Sequence, residues 1–173
     1  EEVVRIRQFF RLPSDYLLFV GTLDPSKNLP LLLSAWADIV PRYPKMRLVI
    51  AGGVSAQARW QMPALPPGVV LLNRVEERDL PALYSGALAF VFPALHQGRA
   101  LQVLEAMACG VPVIAARSGA LPEVVGDDGI LVDPHSHSAL QSAIEGLITD
   151  AAQQADYCCR GLERARQYPW GEA

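Results

Sequence analysis

The chain has 173 residues, 51% of them hydrophobic and 19% charged, a balance that supports one folded core and excludes a disordered chain. A formal charge of −3 gives no electrostatic case for nucleic acid. No apolar run approaches the roughly 20 residues of a membrane span, and the opening EEVVRIRQFF is too charged for a secretory signal. Three cysteines, two of them adjacent at Cys158 and Cys159, make neither a disulfide framework nor a zinc pattern. A reducing cytoplasm is the expected compartment.

The opening residues read as a short amphipathic helix, followed by an apolar strand over 16–20 that ends at Gly21-Thr22. The polar loop Asp24-Pro25-Ser26-Lys27-Asn28 then leads into a helix over 29–40, with Asn28 suited to cap it and Lys27 placed to add a cation near its N-terminus. A lone loop lysine is more often merely solvated. Strands follow over 47–52 and 69–73, separated by a weak helical turn and a Pro-rich loop; a helix is predicted over 77–85 and a strand over 87–92. Pro93 ends that strand. A polar loop through His96 and Gln97 then precedes a helix from Leu101 that stops at Cys109-Gly110, where glycine suits the C-terminus. The apolar run over 112–116 is too short for a helix; it leads to a Gly- and Pro-containing loop over 118–122, a strand over 130–132, and helical segments over 137–149 and 150–167.

Strands alternating with helices predict an α/β fold, a Rossmann-like doubly wound parallel sheet of about six strands with helices on both faces, as a single domain over 1–173. Such sheets bind ligands outside the carboxyl ends of their strands, where helix N-termini offer N–H groups to anions. Glu105 lies eight residues after Gln97, about 12 Å along a helix, roughly the reach across a diphosphate from a sugar to a ribose. A carboxylate there could accept from two ribose hydroxyls; an ordinary helix-surface glutamate is the other reading. Asp127-Asp128 fits a turn before a strand, and His135 and His137 lack a third ligand at metal-binding spacing. The oxidoreductase reading of such a sheet is weak, because no Gly-x-Gly-x-x-Gly follows the first strand.

At these residues the chain resembles the family 4 retaining glycosyltransferases, whose two-domain architecture is the GT-B fold. Their second domain carries EGFGLPxLEAMAxGxPVIA and then GxLPEVVGDxGxLVDP; here the second block stands nearly intact as GALPEVVGDDGILVDP over 119–134. The first block departs where Gln97 takes the place of a Glu, Arg99 and Ala100 replace Phe-Gly, and Gln102 replaces Pro, while Glu105, Ala106, Met107, Ala108 and Gly110 match. VGTLDPSKNL is similar to the family's phosphate loop, with Lys27 and Asn28 on matching positions and Thr22 and Ser26 where an Arg commonly stands.

The resemblance implies a nucleoside-diphosphate sugar as donor substrate, no cofactor and no bound metal. It implies Lys27, Gln97 and Glu105 as the catalytic group, and Gly21, Thr22, Lys27, Arg74, Val75, Gly98, Arg99, Ala100, Leu101 and Glu105 as the donor-binding set. Asn73 and Arg74 depart from the usual Gly-aromatic pair of the loop that meets the base. Arg99 could replace the missing cation of the phosphate loop. By the same resemblance both ends read as cut points, so an N-terminal acceptor-binding domain would belong to the full protein, and any peripheral membrane association would come through that domain. The chain alone is then expected to transfer nothing. The alternative is a degenerate, non-catalytic GT-B domain serving as a binding or scaffold partner of an active transferase.

Overall fold

The computed structural model describes residues 1–53, 64–96, 98 and 100–168. Among them, six strands form one all-parallel sheet: β1 (Tyr16–Val20), β2 (Arg47–Ala51), β3 (Val69–Leu72), β4 (Ala89–Phe92), β5 (Val113–Ala116) and β6 (Ile130–Val132). Their order across the sheet is β3-β2-β1-β4-β5-β6. The helices are α1 (Glu2–Phe9), α2 (Leu29–Ile39), α3 (Leu80–Ser85), α4 (Leu101–Ala108), α5 (Leu121–Val125), α6 (His137–Thr149) and α7 (Ala151–Arg166). Short 3₁₀ turns precede α2 at Pro25–Lys27 and α3 at Glu77–Asp79.

The central strands are apolar throughout because helices cover both faces of the sheet, leaving no side of the pleat in water. Tyr16, Leu17, Leu18 and Phe19 of β1 are fully buried, as are Ala89 to Phe92 of β4. The outer strand β3 shows the contrast, with Leu71 exposed. Helix α2 turns Leu29, Leu32, Leu33, Trp36 and Ile39 inward at helical spacing, each such burial favouring the fold by about 1.5–3 kcal/mol. It packs with α6, while α3 packs with α1 and α4, and α7 lies against α4.

Of the predicted elements that fall on described residues, most are present with ends shifted by a residue or two, the helix expected over 77–85 opens as a 3₁₀ turn at Glu77–Asp79 before α3, and two local readings change. The loop expected over 118–122 runs into the short helix α5, whose first turn holds Pro122, because proline's missing N–H costs nothing at a helix start. Asn28 precedes α2 but does not cap it; its backbone is left-handed, with φ 57°, and its side chain makes no cap bond. The weak turn expected in the segment after β2 and the chain from Pro169 onward lie outside the described residues.

Candidate functional site

Strand order reverses direction between β1 and β4, which pair directly, so the loops leaving their carboxyl ends diverge and open a crevice. Gly21 and Thr22 leave β1 on one side of it. Gly21 donates its N–H to Ala51 over 2.9 Å, and this close passage requires glycine at Gly52, where a Cβ would stand 1.9 Å from the Gly21 carbonyl oxygen. The 3₁₀ turn then brings Lys27 back over the sheet edge. Its Nζ lies 5.5 Å from the centre of the Phe92 ring at the end of β4, so a cation stands above the crevice.

The two loops are tied to each other. Leu95 donates its N–H to the Ser26 carbonyl over 2.7 Å, and the Asn28 amide donates to the carbonyls of Pro93 and Pro134 over 3.1 and 2.8 Å. Ser118 Oγ adds a bond to the Ala94 carbonyl over 2.6 Å. Asn28 thus spends its side chain on holding the ends of β1, β4 and β6 together. Asp24 Oδ1 accepts from the Ser26 N–H over 2.9 Å and also from its hydroxyl, which fixes the turn that carries Lys27.

Across the crevice, Gly98 is exposed and Ala100 buried at the start of α4. Among the described residues no side chain caps α4, and a helix start offers N–H groups to an anion. Ala100 sits at φ −101° and ψ 42°, a backbone that does not require glycine, so the departure there from the family pattern is accommodated. Gln97 and Arg99 lie outside the described residues.

Glu105 is one turn further along α4, on the same stripe as Leu101. It faces sideways into a cleft of about 420 Å³ between α3 and α4, lined also by Glu77, Leu80, Tyr84 and Cys109. The Tyr84 hydroxyl donates to Glu105 Oε2 over 2.9 Å. Burial pushes the Glu105 carboxyl above its ordinary value, the Tyr84 bond pulls it down, and the charge of Glu77 pushes it up again. Burial, then Glu105, drives the Tyr84 phenol upward, so it remains a donor. Arg74 and Val75 follow β3, three places from β4 in the sheet order. They line a second cleft, of about 740 Å³, with Glu76 and Glu77. Glu77 lines both clefts, so the chain beyond β3 turns back toward α4.

The structure therefore brings Gly21, Thr22, Lys27, Gly98, Ala100 and Leu101 to one edge, with Glu105 and then Arg74 and Val75 in adjoining clefts. Sequence reasoning missed Tyr84, Glu77 and the cross-loop role of Asn28. Tyr84 is 21 residues from Glu105, on another helix, and no spacing signal joins them. Among the described residues, no group of three His, Cys, Asp or Glu side chains could hold a metal ion, and no helix is long and apolar enough to cross a membrane.

The family model for glycosyl transferases group 1 matches residues 14–150. The O-antigen chain mannosyltransferase B of Escherichia coli is 36% identical over 162 residues, covering 90% of this chain and 42% of that protein. Sucrose-phosphate synthase from Thermosynechococcus elongatus superposes with a TM-score of 0.81 at 30% identity, over 95% of this chain and 44% of its own. HepE of Anabaena, in complex with UDP, shares the fold with a TM-score of 0.85 at 22% identity, over 96% and 48%. The chain thus spans less than half the length of each of these relatives. Both crevice loops, the Glu105 helix and the loop after β3 fall inside the matched span, and the chain belongs to the glycosyl transferases group 1, folded as one half of a GT-B glycosyltransferase.

Proposed function

We propose that this chain is the donor-binding domain of a retaining transferase that moves a hexose from a nucleoside-diphosphate sugar to a glycan or lipid-linked acceptor. The observation that carries the reading is the switch point between β1 and β4, where Lys27 Nζ stands 5.5 Å from the ring of Phe92, on the strand whose loop leads to the start of α4. A cation and helix N–H groups suit a diphosphate. Glu105 lies a turn away, where its free oxygen can accept from ribose hydroxyls while Tyr84 occupies the other. Arg74 and Val75 are then left to wall the base. Mannose is the sugar favoured by the likeness to the E. coli mannosyltransferase.

In the transfer step, the bond from the anomeric carbon to the diphosphate oxygen breaks and a bond to the acceptor oxygen forms on the same face of the sugar. The acceptor's proton passes to the leaving diphosphate. Charge grows on that leaving group, and Lys27 with the α4 N–H groups opposes it; Arg99 is the second cation in this reading. Gln97 hydrogen-bonds a sugar hydroxyl without carrying charge. No metal takes part. The acceptor site belongs to an N-terminal domain, in line with the length of relatives that this chain leaves uncovered.

Calorimetry of the chain with GDP, UDP, GDP-mannose and UDP-glucose tests the reading. Binding that weakens in both Lys27→Ala and Glu105→Ala supports it, and silence toward all four overturns it. Arg99→Ala leaving affinity unchanged would remove Arg99 from the phosphate site. With an N-terminal domain restored, a Gln97→Glu variant that gains orders of magnitude in transfer would instead favour the non-catalytic scaffold.

A further inference from the structure

We infer that Arg74 and Glu77 select guanine, so that the donor is a guanosine-diphosphate sugar. The inference rests on the proposed donor site and extends it to the base. With a ribose on Glu105, the base has the second cleft beside it to occupy, and the side chain common to the lining of both is Glu77. Glu77 is exposed, and its neighbour Glu76 is engaged by Arg78 over 2.8 Å. Among the described residues, Glu77 itself makes no side-chain hydrogen bond or ion pair. It lines the same cleft as Glu105. Arg74, also exposed, lines the far cleft beside it.

A carboxylate accepts and cannot donate, while a guanidinium donates and cannot accept. Guanine presents two adjacent donors, N1–H and the N2 amino group, that match the two oxygens of a carboxylate. Its O6 and N7 are acceptors that match a guanidinium. Adenine offers an amino donor where guanine has O6 and an acceptor at N1, so both contacts would be mismatched. Uracil offers one N–H flanked by two carbonyls, and a carboxylate facing that edge meets one donor and two repelling acceptors. An acceptor-only group thus attracts one base and rejects the others.

The test is calorimetric titration of the chain with GDP, IDP, UDP and ADP, in the parent and in Glu77→Gln and Glu77→Ala. IDP has guanine's N1–H and O6 but lacks the N2 amino group. The expected order is GDP tightest, IDP about 10-fold weaker, and UDP and ADP weaker still. Glu77→Gln should weaken GDP by about 10- to 100-fold, because its amide N–H2 opposes one of guanine's donors, and should leave UDP unchanged or tighter. Lys27→Ala should lower all four alike. UDP binding as tightly as GDP, or GDP unmoved in both Glu77 variants, overturns guanine selection and leaves the donor site standing. Silence toward every nucleotide overturns the donor site and the base assignment together.

Discussion

Glu105 pays for its position in stability. Its raised carboxyl means that the folded protein holds a proton at pH values where the unfolded chain, with an ordinary value of 4.5, has released it. Stability from this group is therefore full below about pH 4.5 and is lost as pH rises through the native value. Glu105→Gln keeps an acceptor for Tyr84 and removes the buried charge. Its melting temperature should exceed the parent's at pH 7, the difference should vanish below pH 4.5, and nucleotide affinity should fall. Thermal melts across that range, with calorimetry at pH 7, check all three. Tyr84→Phe acts in the opposite sense, removing a bond to a charged acceptor worth about 1.5–3 kcal/mol. It also removes the contact that lowers the Glu105 carboxyl, so the acid limb of nucleotide binding should move to higher pH; an unmoved limb would show that Tyr84 only packs. The place of Glu105 on a helix was legible in the sequence from the apolar periodicity around it. Its environment was not, since burial by α3 and the Tyr84 hydroxyl are set by how two helices meet.

The loop after β1 carries the next level of organisation. Asn28 holds a left-handed backbone and bridges two carbonyls from distant loops. Those two demands separate by substitution. Asn28→Gly keeps the backbone and loses two hydrogen bonds of about 0.5–1.5 kcal/mol each; Asn28→Ala loses the same bonds and, relative to the Gly variant, bears about 1–2 kcal/mol for a Cβ in the left-handed region. Urea unfolding should rank the parent above Gly and Gly above Ala, and equal losses in the two variants would mean that the amide bridge contributes everything. The predicted elements came through because apolar runs bounded by Gly and Pro leave little choice of structure in a sheet covered on both sides. Asn28 was misread as a cap because a polar residue before a helix satisfies the local rule, while its partners Pro93 and Pro134 belong to other strands. Pro122 misled in the same way, since the residue that marks a turn also suits the first turn of a helix.

The whole molecule divides at the switch point. The sheet order puts β1, β2 and β3 on one side and β4, β5 and β6 on the other, and the pairing of β1 with β4 joins the halves. Above that seam, hydrogen bonds from Leu95 to Ser26 and from Asn28 to Pro93 tie the facing loops together. A diphosphate held by Lys27 on one side and by α4 N–H groups on the other would add contacts across the same seam, and it binds only the folded state. At a ligand concentration about 100 times Kd, such binding stabilises by about 2.7 kcal/mol. For a chain of this size that is a rise in melting temperature of about 5–11 °C. The rise should grow with the logarithm of nucleotide concentration, and Lys27→Ala should diminish it without lowering the melting temperature of the ligand-free protein by a comparable amount. A nucleotide that binds by calorimetry but produces no concentration-dependent rise would be seated away from the seam, on an element whose binding survives unfolding of the rest.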